Sequence, residues 1–174
     1  MTYFTLYVIL LPLTFLLCFI IKNKYLNKIP FFLITLVGLI RFDTTSDYSA
    51  YVEGFRAIKG NVYNGYFEVG FVELNKIFSF SKWGFIPMLM LALLVPYVQI
   101  YRLFKKQDIL VIGAFIFLTF GYFTRFENIV RQGISIGIFY YIVNFAIRGK
   151  YIYYLGYSII AILFHSSAFI LLPY

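Results

Sequence analysis

Acidic residues are scarce in this 174-residue chain: seven Asp and Glu stand against fifteen Lys and Arg, and charged residues together make up only 13%. A soluble domain usually carries about a quarter. With 62% of its residues hydrophobic, the chain has no means of covering itself with polar surface in water, which excludes a soluble globular protein. Cysteine and histidine are nearly absent. Cys18 is the only thiol, so no intrachain disulfide or thiolate cluster can form. His165 is the only histidine, which argues against zinc, although an ion held by carboxylates is left open. No Walker A loop, G-x-G-x-x-G fingerprint or H-E-x-x-H pair occurs, and no cofactor is expected. A charged n-region is also missing: lysines follow the first apolar run instead of preceding it. That run reads as an uncleaved span with its N-terminus outside.

What is present is a series of apolar segments. A membrane-crossing helix needs about 20 residues. Six candidates meet or approach that length: Tyr3 to Ile21, Tyr25 to Phe42, Trp83 to Tyr101, Asp108 to Phe123, Ile129 to Ile147, and Tyr151 to Leu172. The expected fold is therefore all-α and polytopic, one transmembrane domain over residues 1–174.

The basic residues occupy short connections between these runs, which is a topology signal. Lys22, Lys24, Lys28, Arg102, Lys105, Lys106, Arg148 and Lys150 share one side with the single acid Asp108. On the other side Arg41, Arg56, Lys59, Lys76, Lys82, Arg125 and Arg131 meet Asp43, Asp47, Glu53, Glu68, Glu73 and Glu127. The first side should be cytoplasmic, with both termini outside. Because the cations do not line one face, nucleic acid is not an expected partner.

The long connection between spans two and three then lies outside. Tyr48, Tyr51, Val52, Phe55 and Ile58 follow helical spacing, with Asp47 or Ser46 as N-cap and Gly60 as the stop. Phe71, Leu74 and Phe78 predict a second short helix. Both are expected in the membrane interface. Trp83 fits an outer aromatic belt, and Tyr151, Tyr153 and Tyr154 an inner one.

The chemistry-bearing groups gather toward this outer face. They are Arg41, Asp43 and Asp47; Glu68; Arg125, Glu127, Arg131 and Gln132; and His165, Ser166 and Ser167. His165 follows Lys150 by 15 residues, or roughly 22 Å of helix, which puts it in the outer third of a hydrocarbon core about 30 Å thick. Ser158, Ala161, His165 and Ala168 share one helical face that should meet protein or a cavity. Arginines are natural partners for phosphate. Each residue also has a plainer reading. Arg41 can snorkel, Asp47 and Glu68 can cap helices, and Glu127 and Arg131 can pair at i,i+4. Gly133 and Gly137 can serve helix packing, and Ser166 and Ser167 can bond backbone carbonyls.

Taken in order, these motifs resemble the EpsG-type, Wzy-like family of exopolysaccharide and O-antigen polymerases. The resemblance runs through Gly38-Leu39-Ile40-Arg41, Ser46-Asp47-Tyr48, Tyr51, Phe55, Glu68 with Gly70-Phe71, Arg131-Gln132-Gly133-Ile134-Ser135, Arg148-Gly149-Lys150 and Phe164-His165-Ser166-Ser167-Ala168. Thr45 and Val69 depart from the family's usual glycine and proline. Family members usually have ten or more spans, so the chain looks like the N-terminal half of such a polymerase. The resemblance implies glycosyl transfer at the outer face of the bacterial cytoplasmic membrane. Oligosaccharide units on undecaprenyl diphosphate would be joined, with chain-length regulators, flippases and membrane lipids as partners. It further implies diphosphate binding by Arg41, Arg125 and Arg131, and acceptor or proton chemistry by Asp47, Glu68 and His165. A lipid-linked oligosaccharide transporter and a non-catalytic subunit of the assembly system are the alternatives. The transporter would call for charges at the bilayer mid-plane and repeat symmetry, and neither is found.

Overall fold

Proline and glycine set the helix boundaries. The computed structural model describes residues 3–20, 26–40, 47–63, 65 and 67–172, with side chains undescribed for 3–7, 127 and 128. Among the described residues every regular element is helical. Helix α1 spans Tyr3–Ile20, and α2 spans Ile29–Leu39 with Pro30 in its first turn, where a missing N–H costs nothing. The connection carries α3 (Tyr48–Lys59) and α4 (Val69–Ser79). Then follow α5 (Phe85–Lys106), α6 (Leu110–Thr119), α7 (Tyr122–Asn128), α8 (Val130–Ile147) and α9 (Tyr151–Phe164).

Helices α5 and α8, of 22 and 18 residues, are long and apolar enough to cross a bilayer. Helices α2, α6 and α9 are apolar but shorter. The expected fourth span is interrupted: α6 stops at Thr119, and Gly121, at φ +73°, turns the chain into α7. Only glycine adopts that left-handed conformation at little cost.

Helix α8 packs between α5 and α9. Its glycines face Pro96, a buried proline within α5. A Cβ added at Gly137 would stand 3.0 Å from both N and Cα of Pro96. The G-x-x-x-G spacing thus serves close approach of two backbones, as in other membrane helix pairs. On the opposite flank the Ser135 hydroxyl donates to the Ala161 carbonyl at 2.7 Å, and Phe145 stacks on Tyr157 with ring centroids 5.9 Å apart. Gly137→Leu should force α5 and α8 apart and cost about 1–3 kcal/mol, the usual range for overpacking. Thermal unfolding in detergent measures this, and an unchanged transition would show the two helices free to separate.

Both predicted loop helices are present, and the first keeps its expected bounds. Asp47 stands at the start of α3 and Gly60 at its end, and Phe71 begins the buried face of α4. Their apolar faces turn into the protein. Tyr51, Phe55, Ile58 and Phe71 are buried, and Phe55 meets Phe85 edge-on at 5.6 Å. Apolar groups that do face outward in this region include Val62, Val69, Ile77, Phe80 and Trp83.

Candidate functional site

The expected sixth span is not a single helix. Its helical part ends at Phe164, and His165 is extended at φ −160° and ψ 125°. The chain then reverses. The Tyr154 hydroxyl donates to the Leu171 carbonyl at 2.7 Å. In an unbroken helix those residues would be about 25 Å apart, far beyond the reach of a tyrosine. The return runs as a 3-10 segment, Ser166–Leu171, so His165 and Ser166 occupy an apex. The outward crossing expected after His165 is replaced by this turn. Such a break needs partners for the freed backbone groups, and Glu68 supplies one.

Glu68 precedes α4 and begins it: the N–H groups of Phe71 and Val72 donate to its carbonyl at 3.0 Å. Its side chain points away from α4 to three other groups. Oε1 accepts the Ser166 backbone N–H at 3.1 Å and lies 3.0 Å from His165 Nδ1. Oε2 pairs with the Arg131 guanidinium, which projects from the first turn of α8. Gly70 permits this assembly. A Cβ there would lie 2.7 Å from the Leu163 carbonyl oxygen, so α4 can start against the end of α9 only without a side chain at that position.

Aromatic rings complete the enclosure. The Arg131 guanidinium lies over the Phe67 ring, 5.0 Å from its centroid, where the ring quadrupole attracts the cation. Phe67 stacks on Tyr51 and Tyr63 with centroids 6.0 and 5.6 Å away. A Cβ at Gly54 would collide with the Phe67 ring, so Gly54 provides the slot for it.

The electrostatics follow from these contacts. Partial burial pushes the Glu68 carboxyl upward. The Ser166 N–H, its own backbone N–H and the Arg131 guanidinium together outweigh that push and hold it below the ordinary 4.5. Glu68 is therefore ionised at neutral pH. Burial raises the Tyr51 phenol above its ordinary 10.0, against the opposing pull of Arg131, so it stays neutral.

Of the six residues nominated from sequence, three converge: Glu68, Arg131 and His165. Asp47 is exposed at the start of α3, with no side-chain bond capping that helix, and its charge reaches the site by raising the Tyr51 phenol. Arg125 is exposed on α7, and no hydrogen bond or ion pair among the described residues ties it to Glu68, Arg131 or His165. Arg41, with its neighbours Asp43 and Ser46, lies outside the described residues. Ser166 contributes its backbone N–H to the site. The parts that sequence reasoning missed are Phe67 and Gly54. Neither carries a polar signal, and only the tertiary fit of ring against glycine reveals them.

A helical membrane protein whose one ionised hub ties a loop carboxylate, a helix-end arginine and an apex histidine defines the class. Over residues 24–174 the chain matches the EpsG family, and it belongs to that family. Membership makes it a polysaccharide polymerase-like membrane protein. No curated protein and no solved structure matches it.

Proposed function

We propose that the protein polymerises polysaccharide at the outer face of the bacterial cytoplasmic membrane, joining oligosaccharide units carried on undecaprenyl diphosphate. The observation that carries this reading is the bridging of Arg131 and His165 by one ionised carboxylate. An ionised carboxylate can only accept hydrogen bonds. His165 Nδ1, 3.0 Å from Glu68 Oε1, must therefore carry the proton of that contact. In the neutral ring Nε2 then keeps its lone pair, and Glu68 orients the imidazole as the carboxylate of a catalytic triad does.

The reaction follows from those groups. An acceptor sugar hydroxyl attacks the anomeric carbon of the donor. The bond from that carbon to the diphosphate oxygen breaks, and its electron pair leaves with the lipid diphosphate. The hydroxyl proton passes to His165 Nε2, and Arg131 faces the charge growing on the leaving group. Arg41 and Arg125 would add diphosphate contacts, and Asp47 would be a second carboxylate on the acceptor side. The asymmetry of basic loops supports an outward-facing α3–α4 connection and an outer N-terminus.

A cavity of about 590 Å³ between α8 and the return segment supports a lipid-borne substrate. Its polar end, Gln132 and Ser167, adjoins Arg131 and Ser166, and its apolar wall continues along α8 through Phe139 and Val143 to Ala146. From Gln132 to Ala146 is 14 helical steps, or about 21 Å, a length suited to part of an isoprenoid tail.

The test places His165→Ala, His165→Gln and Arg131→Ala at the native locus and resolves the polysaccharide by length. Loss of a positioned base costs about 10²–10⁴-fold. Each variant should therefore abolish long chains and accumulate single repeat units at unchanged membrane abundance. Long chains persisting in all three would remove the site from the reaction.

A further inference from the structure

We propose that a second cavity, at the N-terminal mouth of α5, binds the phosphate of an anionic membrane lipid. It is separate from the Glu68 hub. The cavity holds about 410 Å³ and is lined by Arg56, Lys59 and Lys82 together with Tyr48, Trp83 and Phe85. Among the described residues no carboxylate lines it.

The convergence of cations needs an explanation. Arg56 and Lys59 are three residues apart on α3, a spacing that brings like charges together and is unfavourable in isolation. The Lys59 Nζ donates to the Ser81 carbonyl at 3.1 Å, which places it beside Lys82. Lys82 lies over the Trp83 ring at 5.9 Å. None of the three forms an ion pair among the described residues, whereas nearby Lys76 pairs with Glu73 at 2.7 Å. An anionic occupant offsets this repulsion. The Arg56 fork suits phosphate oxygens, and the lysines add point charges.

The surroundings select a lipid as the source. Phe80 is 86% exposed and Trp83 71%, and Ile77 also faces outward. Phe85, at the cavity wall, begins a helix long enough to cross a bilayer. Cations flanked by exposed aromatic and aliphatic groups at the end of a span form the pattern that sits among headgroups.

Trp83 is the only tryptophan, so its fluorescence reports on this cavity alone. The experiment titrates the detergent-solubilised protein with short-chain phosphatidylglycerol, with phosphatidylcholine of equal chain length, and with glycerol 1-phosphate. Phosphatidylglycerol should give a saturable change that raised salt weakens. Phosphatidylcholine should give none, and glycerol phosphate should need a far higher concentration. Lys59→Gln and Lys82→Gln should each weaken binding by roughly fivefold, the worth of one basic residue at an anionic surface. Lys105→Gln with Lys106→Gln, at the far end of α5, should leave it unchanged. Equal responses to the two phospholipids would overturn the proposal. So would glycerol phosphate binding as tightly as phosphatidylglycerol, since the site would then take a soluble phosphate. A salt-insensitive response of the unaltered protein would overturn it independently of how any variant folds.

Discussion

Glu68→Ala is expected to cost the protein about 3 kcal/mol and all long-chain product. The substitution leaves Arg131 without its carboxylate, and both partners of that ion pair are only about a fifth exposed, at 21% and 19%. Removing one member of a buried pair typically costs about 3–5 kcal/mol, because the other charge stays desolvated. The Ser166 N–H loses its acceptor in the same step. Glu68→Gln keeps the shape and one acceptor oxygen, so it should unfold later than the alanine variant yet still lose polymer. The double variant Glu68→Ala/Arg131→Ala should be less destabilised than the sum of its singles, since it leaves no orphaned guanidinium.

Acid should reproduce part of this effect. The Glu68 carboxyl is held below its ordinary 4.5 in the folded protein. A lowered carboxylate contributes stability that is fully present above the unfolded value and is lost as pH falls below it through the folded one. The protection factor of the Ser166 amide, taken against the intrinsic exchange rate at each pH, should be high at neutral pH and should fall in acid or in Glu68→Ala. Protection of that amide in Glu68→Ala, together with an unaltered unfolding transition, would show the hub to be ornamental.

Gly70→Ala, the addition of a single methyl group, is the second change of large effect. The new carbon would lie 2.7 Å from the oxygen and 3.0 Å from the carbon of the Leu163 carbonyl, which is backbone and cannot swing aside. The start of α4 must retreat from the end of α9, and Glu68 retreats with it. Overpacking of this kind costs about 1–3 kcal/mol. The displacement matters more, because a shift of about 1 Å in a positioned group can cost about 10²-fold in rate. Polymer length should therefore collapse while most of the protein still folds. Gly156→Ala is the control: nothing lies within 4 Å of a Cβ at that position in α9. Normal polymer in Gly70→Ala would mean that Glu68 need not touch the apex.

Much of this was legible in the sequence for local reasons. The periodicity from Tyr48 to Ile58 and the stop at Gly60 gave α3 its bounds. The cost of charge in apolar surroundings singled out Arg131 and His165, and Gly133 with Gly137 marked a packed face. The joining of Glu68 to Arg131 and His165 was not legible, because those pairs are 63 and 97 residues apart in the chain. No periodicity reports such distances. The turn at His165 was hidden for a related reason. Apolar residues continue through Leu172, with no proline or glycine between His165 and Leu172. The helix ends there with the help of the Glu68 carboxylate just before α4, which a local reading cannot supply. The inward turn of the α3 and α4 apolar faces was equally tertiary: amphipathicity shows that a face is covered, not by what.

The apex also imposes an order on biogenesis. Glu68 leaves the ribosome first, Arg131 well after it, and His165 and Ser166 last, so a nascent chain that has reached only Ile147 holds two members of the constellation and lacks the other two. During that interval the acid and the guanidinium can neutralise each other while the bundle inserts. Competence for chemistry would arrive only when the hairpin folds back and Tyr154 latches Leu171.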